Sequence, residues 1–236
     1  MNLLLLNSNQ INGTMAQING RQLEHLQRVQ GLEVGDSLRV GEINGLMGTG
    51  FITAIDSHCA SLELQLDTPP PKLVPITLVL ALPRPKMLRR ILQTVASMGV
   101  KRIHLIHSAR VEKSFWQSPF LSPENTLEQL ILGLEQAKDT VLPEIYQHKL
   151  FKPFVEDQLT AVIGNSRAIV AHPTATKSCP IAIGEPTTLI IGPEGGFIPY
   201  EIHKLEALAI EPLSIGERIL RVETAVPALI SRLFPA

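Results

Sequence analysis

Three consecutive prolines, Pro69-Pro70-Pro71, most limit what this chain can become. Each proline fixes φ and lacks an N–H donor, so Thr68 to Lys72 reads as a stiff linker and the best domain boundary. The sequence reads differently on its two sides. Before the prolines, Gly13, Gly20, Gly31, Gly35, Gly41, Gly45, Gly48 and Gly50 punctuate short runs. Apolar and polar residues alternate in Ser37-Leu38-Arg39-Val40 and in Ser61-Leu62-Glu63-Leu64-Gln65-Leu66. That predicts a small antiparallel β-barrel with one helix over 21–30. Gly45-Leu46-Met47-Gly48-Thr49-Gly50 lacks the Lys-Ser/Thr pair of a phosphate loop and reads as a hairpin turn.

After the prolines, strand and helix patterns alternate. Strands are expected over 76–82, 102–107, 168–171, 189–191 and 213–215, and helices over 86–98, 123–138 and 222–233. This pattern predicts an α/β domain with a mostly parallel sheet of five or six strands. The expected domains are 1–70 and 73–236.

Of the 236 residues, 44% are hydrophobic, enough for a packed core and too many for a disordered chain. Cys59 and Cys179 match no metal spacing and read as reduced thiols, so no metal is expected. Met1 to Leu6 is too short for a membrane span and has no basic flank, and no other run is long enough. A cytoplasmic protein with no membrane partner is expected.

Net charge is −1, which taken alone does not favour nucleic acid as a partner. Its distribution alters that reading. Residues 84–113 hold Arg84, Lys86, Arg89, Arg90, Lys101, Arg102, Arg110 and Lys113 against one acid, Glu112, a local net of +7 against −8 elsewhere. Such polarity fits a phosphate backbone on one face, and equally a solvated helix face.

Two stretches carry the chemistry. Thr188-Leu189-Ile190-Ile191-Gly192-Pro193-Glu194-Gly195-Gly196-Phe197 reads as a buried strand entering a glycine corner. Gly195 and Gly196 have no Cβ and admit a ligand close to bare backbone. Pro199 suits the first turn of a helix through Glu201, Ile202, Leu205 and Leu208. Strand, corner and helix make a common ligand site of open α/β sheets, and also an ordinary tight turn. The second stretch is Ser214-Ile215-Gly216-Glu217-Arg218-Ile219-Leu220-Arg221-Val222-Glu223-Thr224-Ala225.

The corner and Leu220-Arg221-Val222-Glu223-Thr224-Ala225 together resemble the paired motifs of the 16S ribosomal RNA uridine-N3 methyltransferases, a SPOUT superfamily branch. The resemblance extends to His172-Pro173, Met98-Gly99-Val100, Pro143-Glu144-Ile145, His25-Leu26, Arg28-Val29 and Gly35-Asp36, so it covers nearly the whole chain. It implies a PUA-like N-terminal barrel that helps hold RNA, a C-terminal domain closed by a deep trefoil knot, and a homodimer. It implies S-adenosylmethionine as cofactor and ribosomal RNA, or the 30S subunit, as substrate.

Carried onto this sequence, the resemblance puts Ile191, Gly192, Pro193, Glu194 and Gly195 on one side of the cofactor. Ser214, Ile215, Gly216, Ile219, Leu220 and Arg221 lie on the other side, with His172 at an adjacent strand end. Arg221 or Arg218 would stabilise the uridine anion, and Glu194 or Glu223 would relay its proton. The alternative for Arg221 is a salt bridge to Glu223 or Glu194, and for Glu223 a charge at a helix N-terminus. Arg28, Arg84, Lys86, Arg89 and Arg110 are the expected RNA contacts.

Some positions depart from the family pattern. Asp139 and Val141 stand where arginines are usual, Thr94 and Ser97 where Lys and Glu are, and Ala109 where Glu is. Two readings follow: an active RNA methyltransferase, or a divergent relative that binds S-adenosylmethionine or RNA with another target or no transfer.

Overall fold

The computed structural model describes residues 2–235. Met1, first in the apolar N-terminal run, and Ala236 lie outside the described residues, as do the side chains of Val29 and Gln30. The chain divides into two units: residues up to Lys72 together with Ile131–Leu142, and Leu73–Leu130 together with Pro143 onward.

The first unit contains β1 (Leu4–Leu6), β2 (Ile11–Asn12), β3 (Met15–Ile18), α1 (Gly20–His25), β4 (Ser37–Glu42), β5 (Met47–Ile55) and β6 (Ala60–Thr68). They form a six-stranded sheet in the order β1-β4-β5-β6-β3-β2. Four of the pairings are antiparallel, but β1 pairs parallel with β4, so the expected all-antiparallel arrangement is corrected. A β2–β3 hairpin and a helix separate β1 from β4, and that crossover brings β4 back in the direction of β1. Leu4, Leu6, Ile18, Leu26, Val40, Ile52 and Leu62 form the core, each on the inward beat of its strand or helix.

The expected helix over 21–30 is α1 continued by a π-helical turn, Leu26–Gln30, which Gly31 stops at φ 63°. The glycine-rich run at 45–50 is mostly strand. Gly48 lies at a register shift where an added Cβ would come 1.8 Å from the Gln65 carbonyl oxygen, so no other residue fits unmoved.

Ile131–Leu142 closes this unit. Arg21 makes a bidentate ion pair with Glu135, at 3.0 and 3.1 Å, and Glu135 is 2% exposed. Thr140 donates to the Gly45 carbonyl at 2.6 Å, the Asn44 N–H donates to the Thr140 carbonyl, and the Leu142 N–H donates to Asn44 Oδ1. Asp139 is buried and accepts the Val141 N–H at 2.9 Å. The two departures at 139 and 141 therefore belong to the turn that fastens this segment.

The second unit contains β7 (Ile76–Ala81), α2 (Pro85–Ser97), β8 (Arg102–Ile106), β9 (Glu144–His148), the short α4 (Phe151–Pro153) and α5 (Leu159–Ile163), β10 (Arg167–Ala171), β11 (Thr187–Ile191), α6 (Pro199–Glu206), β12 (Glu211–Leu213) and α7 (Val222–Leu233). The helix α3 (Pro123–Ala137) begins in this unit and ends in the first. The sheet order is β12-β10-β11-β7-β8-β9, and every adjacent pair is parallel.

Burial on both faces explains the unbroken apolar runs Leu78–Leu82 and Leu189–Ile191. On α2, Leu88, Ile91, Leu92 and Val95 recur at helical spacing and are buried, while Arg89 and Arg90 stay exposed. Thr94 and Ser97 bond back to the carbonyls of Arg90 and Thr94 within the same helix.

Some expected bounds shift. The last sheet strand is Glu211–Leu213 rather than 213–215, because Ser214 already turns to bridge Ser178. The corner helix stops at Glu206, short of Leu208. Strand β9 was not expected: Glu144-Ile145-Tyr146-Gln147-His148 is a polar edge strand with little apolar signal.

Candidate active site

Strands β11 and β10 lie side by side in register from Arg167–Thr187 to Ala171–Ile191, so their carboxyl ends open together. There Ala171 runs into His172-Pro173, Ile191 into Gly192-Pro193, and Leu213 of β12 into Ser214-Ile215. These three strand exits and the first turns of α7 surround one cleft. It is lined by His172, Ile191, Gly192, Pro193, Glu194, Gly196, Phe197, Ser214, Ile215, Gly216, Arg218, Ile219 and Leu220, with Leu213, Val222 and Leu229 beneath. The two stretches singled out in the sequence thus face each other across one space.

Not every candidate stands on that lining. Gly195 faces away from it: an added Cβ there would lie 2.9 Å from Arg110 Cδ. Arg221 is the N-cap residue of α7, with its side chain 85% exposed and its guanidinium 4.0 Å from Glu223. Of the two open alternatives for Arg221, the salt bridge to Glu223 is the contact present. Glu223 lies in the first turn of α7, where a carboxylate complements the helix dipole.

The glycine corner is firmly held. Phe197 is 5% exposed, its ring packs 6.1 Å from that of Phe151, and a Cβ on Gly192 would meet it at 3.1 Å. Gly196 takes φ 72°, where a side chain would be strained. Glu194 Oε1 accepts the backbone N–H of Arg84 at 3.2 Å, at the start of α2. Arg110 donates to the Gly195 carbonyl. Glu201 in α6 is 2% exposed and accepts the N–H groups of Ile198 at 3.0 Å and Ala109 at 2.7 Å. Sequence reasoning gave Glu201 only as a helix position. Pro199 two residues before it signals the helix start, but its bond to Ala109 spans 92 residues and has no local signal.

Of the expected RNA contacts in this unit, Arg84, Lys86, Arg89 and Arg110 are all exposed. Arg89 sits 5.0 Å over the Phe120 ring. Arg28 belongs to the first unit, where it pairs with Glu24 one helical turn away.

The strand leading to the Ala109–Arg110 loop, β8, and its neighbour β9 hold a histidine pair between them. His104 Nδ1 lies 2.9 Å from His148 Nε2, and His104 stacks on Tyr146 at 4.7 Å between ring centres. Burial, with the nearby His148 and Arg102 charges adding to it, pushes His104 down to about 4. Burial also lowers His148. Both rings are therefore neutral near pH 7, and they form packing and a hydrogen bond rather than a charged site.

The cleft's chemistry suits a nucleoside-type cofactor carrying a positive charge. Ile191, Ile215, Ile219 and Leu220 give apolar walls for a flat ring. Gly192 and Gly196 leave backbone bare, and Glu194 is the carboxylate on the lining. These residues fit S-adenosylmethionine.

Residues 69–234 match the family described as an RNA methyltransferase domain. Ribosomal RNA small subunit methyltransferase E of Treponema pallidum (strain Nichols) is 33% identical over 210 residues, covering 86% of this chain and 79% of that protein. Ribosomal RNA small subunit methyltransferase E 1 of Borreliella burgdorferi is 26% identical over 230 residues, covering 97% of this chain and 95% of that one. In fold, the crystal structure of a ribosomal RNA small subunit methyltransferase E from Neisseria gonorrhoeae bound to S-adenosyl methionine matches with a TM-score of 0.78. It is 20% identical and covers 98% of this chain and 95% of that one. The chain belongs to the RNA methyltransferase family, in its small-subunit methyltransferase E branch.

Proposed function

We propose that this protein transfers a methyl group from S-adenosylmethionine to N3 of a uridine in 16S ribosomal RNA. The observation that carries this reading is one cleft lined by residues from both the 191–197 corner and the 214–220 stretch at neighbouring strand ends of a family member. When bound, the cofactor supplies an electrophilic methyl on a cationic sulfur. Ile191, Ile215, Ile219 and Leu220 exclude water around it, and Gly192 and Gly196 let backbone groups approach. The Glu194 carboxylate gives the positive charge a partner. His172 shapes the end of the cleft at the exit of β10.

A uridine N3 must lose its proton before it can attack. Glu223, from the first turn of α7, or Glu194 on the lining takes that proton. Arg221 or Arg218 stabilises the anion left on the base, an effect of about 10²–10³ in rate for one well-placed donor. Transfer itself is an in-line displacement, so the remaining work is positioning.

Domains 1–70 and 73–236 divide the labour. The first is a PUA-like barrel that holds RNA through Arg28. The second binds RNA through Arg84, Lys86, Arg89 and Arg110 and is a SPOUT domain with a deep trefoil knot. The knot is supported by the way 177–183 is tied to later chain: Cys179 N–H donates to the Ser214 carbonyl, Ser214 N–H to Lys177, and Ile183 N–H to Leu233. The protein acts in the cytoplasm as a homodimer, supported by Ile219 at 81% and Leu220 at 36% exposure on the cleft's open wall. Among the described residues no helix is long and apolar enough to cross a membrane.

The divergent, inactive reading rested on Asp139 and Val141. Both lie in the fastening turn of the first unit, so that reading keeps no residue of the cleft. The test is transfer of labelled methyl from S-adenosylmethionine to 30S particles and to free 16S RNA, with the base located by a reverse-transcription stop, since N3 methylation blocks pairing. Clear cofactor binding with no label in any RNA pool would sink the proposal.

A further inference from the structure

The loop at 107–111 is joined to the glycine corner at consecutive positions. Glu201 is nearly fully buried, and its two oxygens are both occupied by backbone N–H groups, one of them that of Ala109. A carboxylate held this way has no freedom to swing, so Ala109 is fixed to the start of α6. The next residue, Arg110, donates one N–H to the Gly195 carbonyl, and its methylene groups lie against the Cα of Gly195. On the other side of the corner, Glu194 holds the backbone of Arg84.

Arg84 and Arg110 both belong to the basic 84–113 window. Each is bonded to one of two adjacent corner residues. A guanidinium carries five N–H donors, so Arg110 keeps donors for a phosphate while one remains on Gly195.

We propose that Arg110 is a positioning residue that couples RNA to the cofactor: engagement of an RNA phosphate by the Arg110 guanidinium stiffens the 194–195 corner and tightens cofactor binding. The inference rests on the methyltransferase reading. One rotamer of Arg110 serves both the Gly195 carbonyl and the phosphate. The ligand that arrives first therefore removes conformational freedom that the second would otherwise have to remove. Linkage makes the effect reciprocal, so bound cofactor tightens RNA by the same factor.

The experiment measures the affinity of the full chain for S-adenosylhomocysteine, which has no methyl to transfer, with and without saturating unmethylated 16S RNA. Wild type is expected to bind about fivefold more tightly with RNA, at the low end of ordinary allosteric couplings. Arg110→Ala brings the ratio to one, and Arg110→Lys, which keeps a donor and a charge, retains part of it. Glu201→Gln frees the loop without removing Arg110 and lowers the ratio as well. A wild-type ratio of one in a preparation that methylates RNA overturns the coupling and leaves the enzyme reading intact. An unchanged ratio in Arg110→Ala does the same. Failure of wild type to bind S-adenosylhomocysteine at all overturns both, and so separates the two failures.

Discussion

The wall at 191–197 is held by a buried ring and by bonds from two separate segments, whereas the wall at 214–221 is held mainly at its ends. Phe197 fills the space under Gly192, Arg84 and Arg110 tie down Glu194 and Gly195, and Glu201 braces the loop beside them. Across the cleft, Ser214 bonds to Lys177 and Cys179, and its hydroxyl bonds only locally to Gly216. From Gly216 to Arg221 every residue is exposed. One wall has its shape before any ligand arrives. The other leaves apolar surface uncovered and gains its burial, about 1.5–3 kcal/mol for a fully covered Ile or Leu, only when something sits against it.

The largest expected effect breaks the first wall. Phe197→Ala removes a buried ring with little room for collapse around Gly192, and should cost about 3–5 kcal/mol of stability in urea unfolding. A loss below about 1 kcal/mol would mean that the corner does not depend on that ring.

The next effect acts on the strand that carries the brace. His104 is held neutral, with its folded value near 4 against an ordinary 6.5. Below pH 6.5 the unfolded chain takes up a proton that the folded chain refuses. Stability from this group is therefore complete above about pH 6.5 and falls as pH drops toward 4, by on the order of 3 kcal/mol. A His104→Phe variant should show a shallower acid limb in thermal unfolding between pH 7 and 4. An identical slope would assign the acid sensitivity elsewhere.

The third expectation concerns the open wall. Arg221→Ala should lower turnover about 100-fold, near 2.7 kcal/mol of barrier. Its melting temperature should hold, because an exposed ion pair to Glu223 contributes under about 1 kcal/mol. Unchanged turnover would remove Arg221 from the mechanism. The smallest effect is that of Ile219→Ser: cofactor affinity drops about tenfold, or 1.4 kcal/mol, while stability stays within about 0.5 kcal/mol. Equal losses in both quantities would show that the second wall is as rigid as the first.

How much of this was legible depended on how local the cause was. The helix expected over 222–233 is α7 with those bounds, because an apolar stripe and a first-turn Glu223 sit in the segment itself. The run at Leu189–Ile191 announced a strand buried in the sheet, and 76–82 a strand, for the same reason. The two cleft stretches were found by their paired motifs, and the structure brings them together, with the expected site residues Gly195, Arg221 and Glu223 off the lining. What stayed hidden is long-range. Nothing near Glu201 announces Ala109, and nothing near Asn44 announces Thr140 and Leu142. Those contacts exist only after the sheet order is set. Strand β9 was missed because an edge strand needs few apolar residues, and β1 runs parallel to β4 because of a crossover that alternation does not encode.

The fastening of Ile131–Leu142 to the first unit has a consequence for the order in which the protein is made. Domains ordinarily fold as they emerge during synthesis, the N-terminal one first. Here Arg21 waits for Glu135, and the Asn44–Gly45 turn waits for Thr140 and Leu142, all beyond the prolines. The first unit is complete only after the Leu73–Leu130 part of the second has been translated. A stop or a proteolytic cut placed at the prolines would leave a sheet with all of its strands but without the Ile131–Leu142 segment that fastens it, rather than release a finished module.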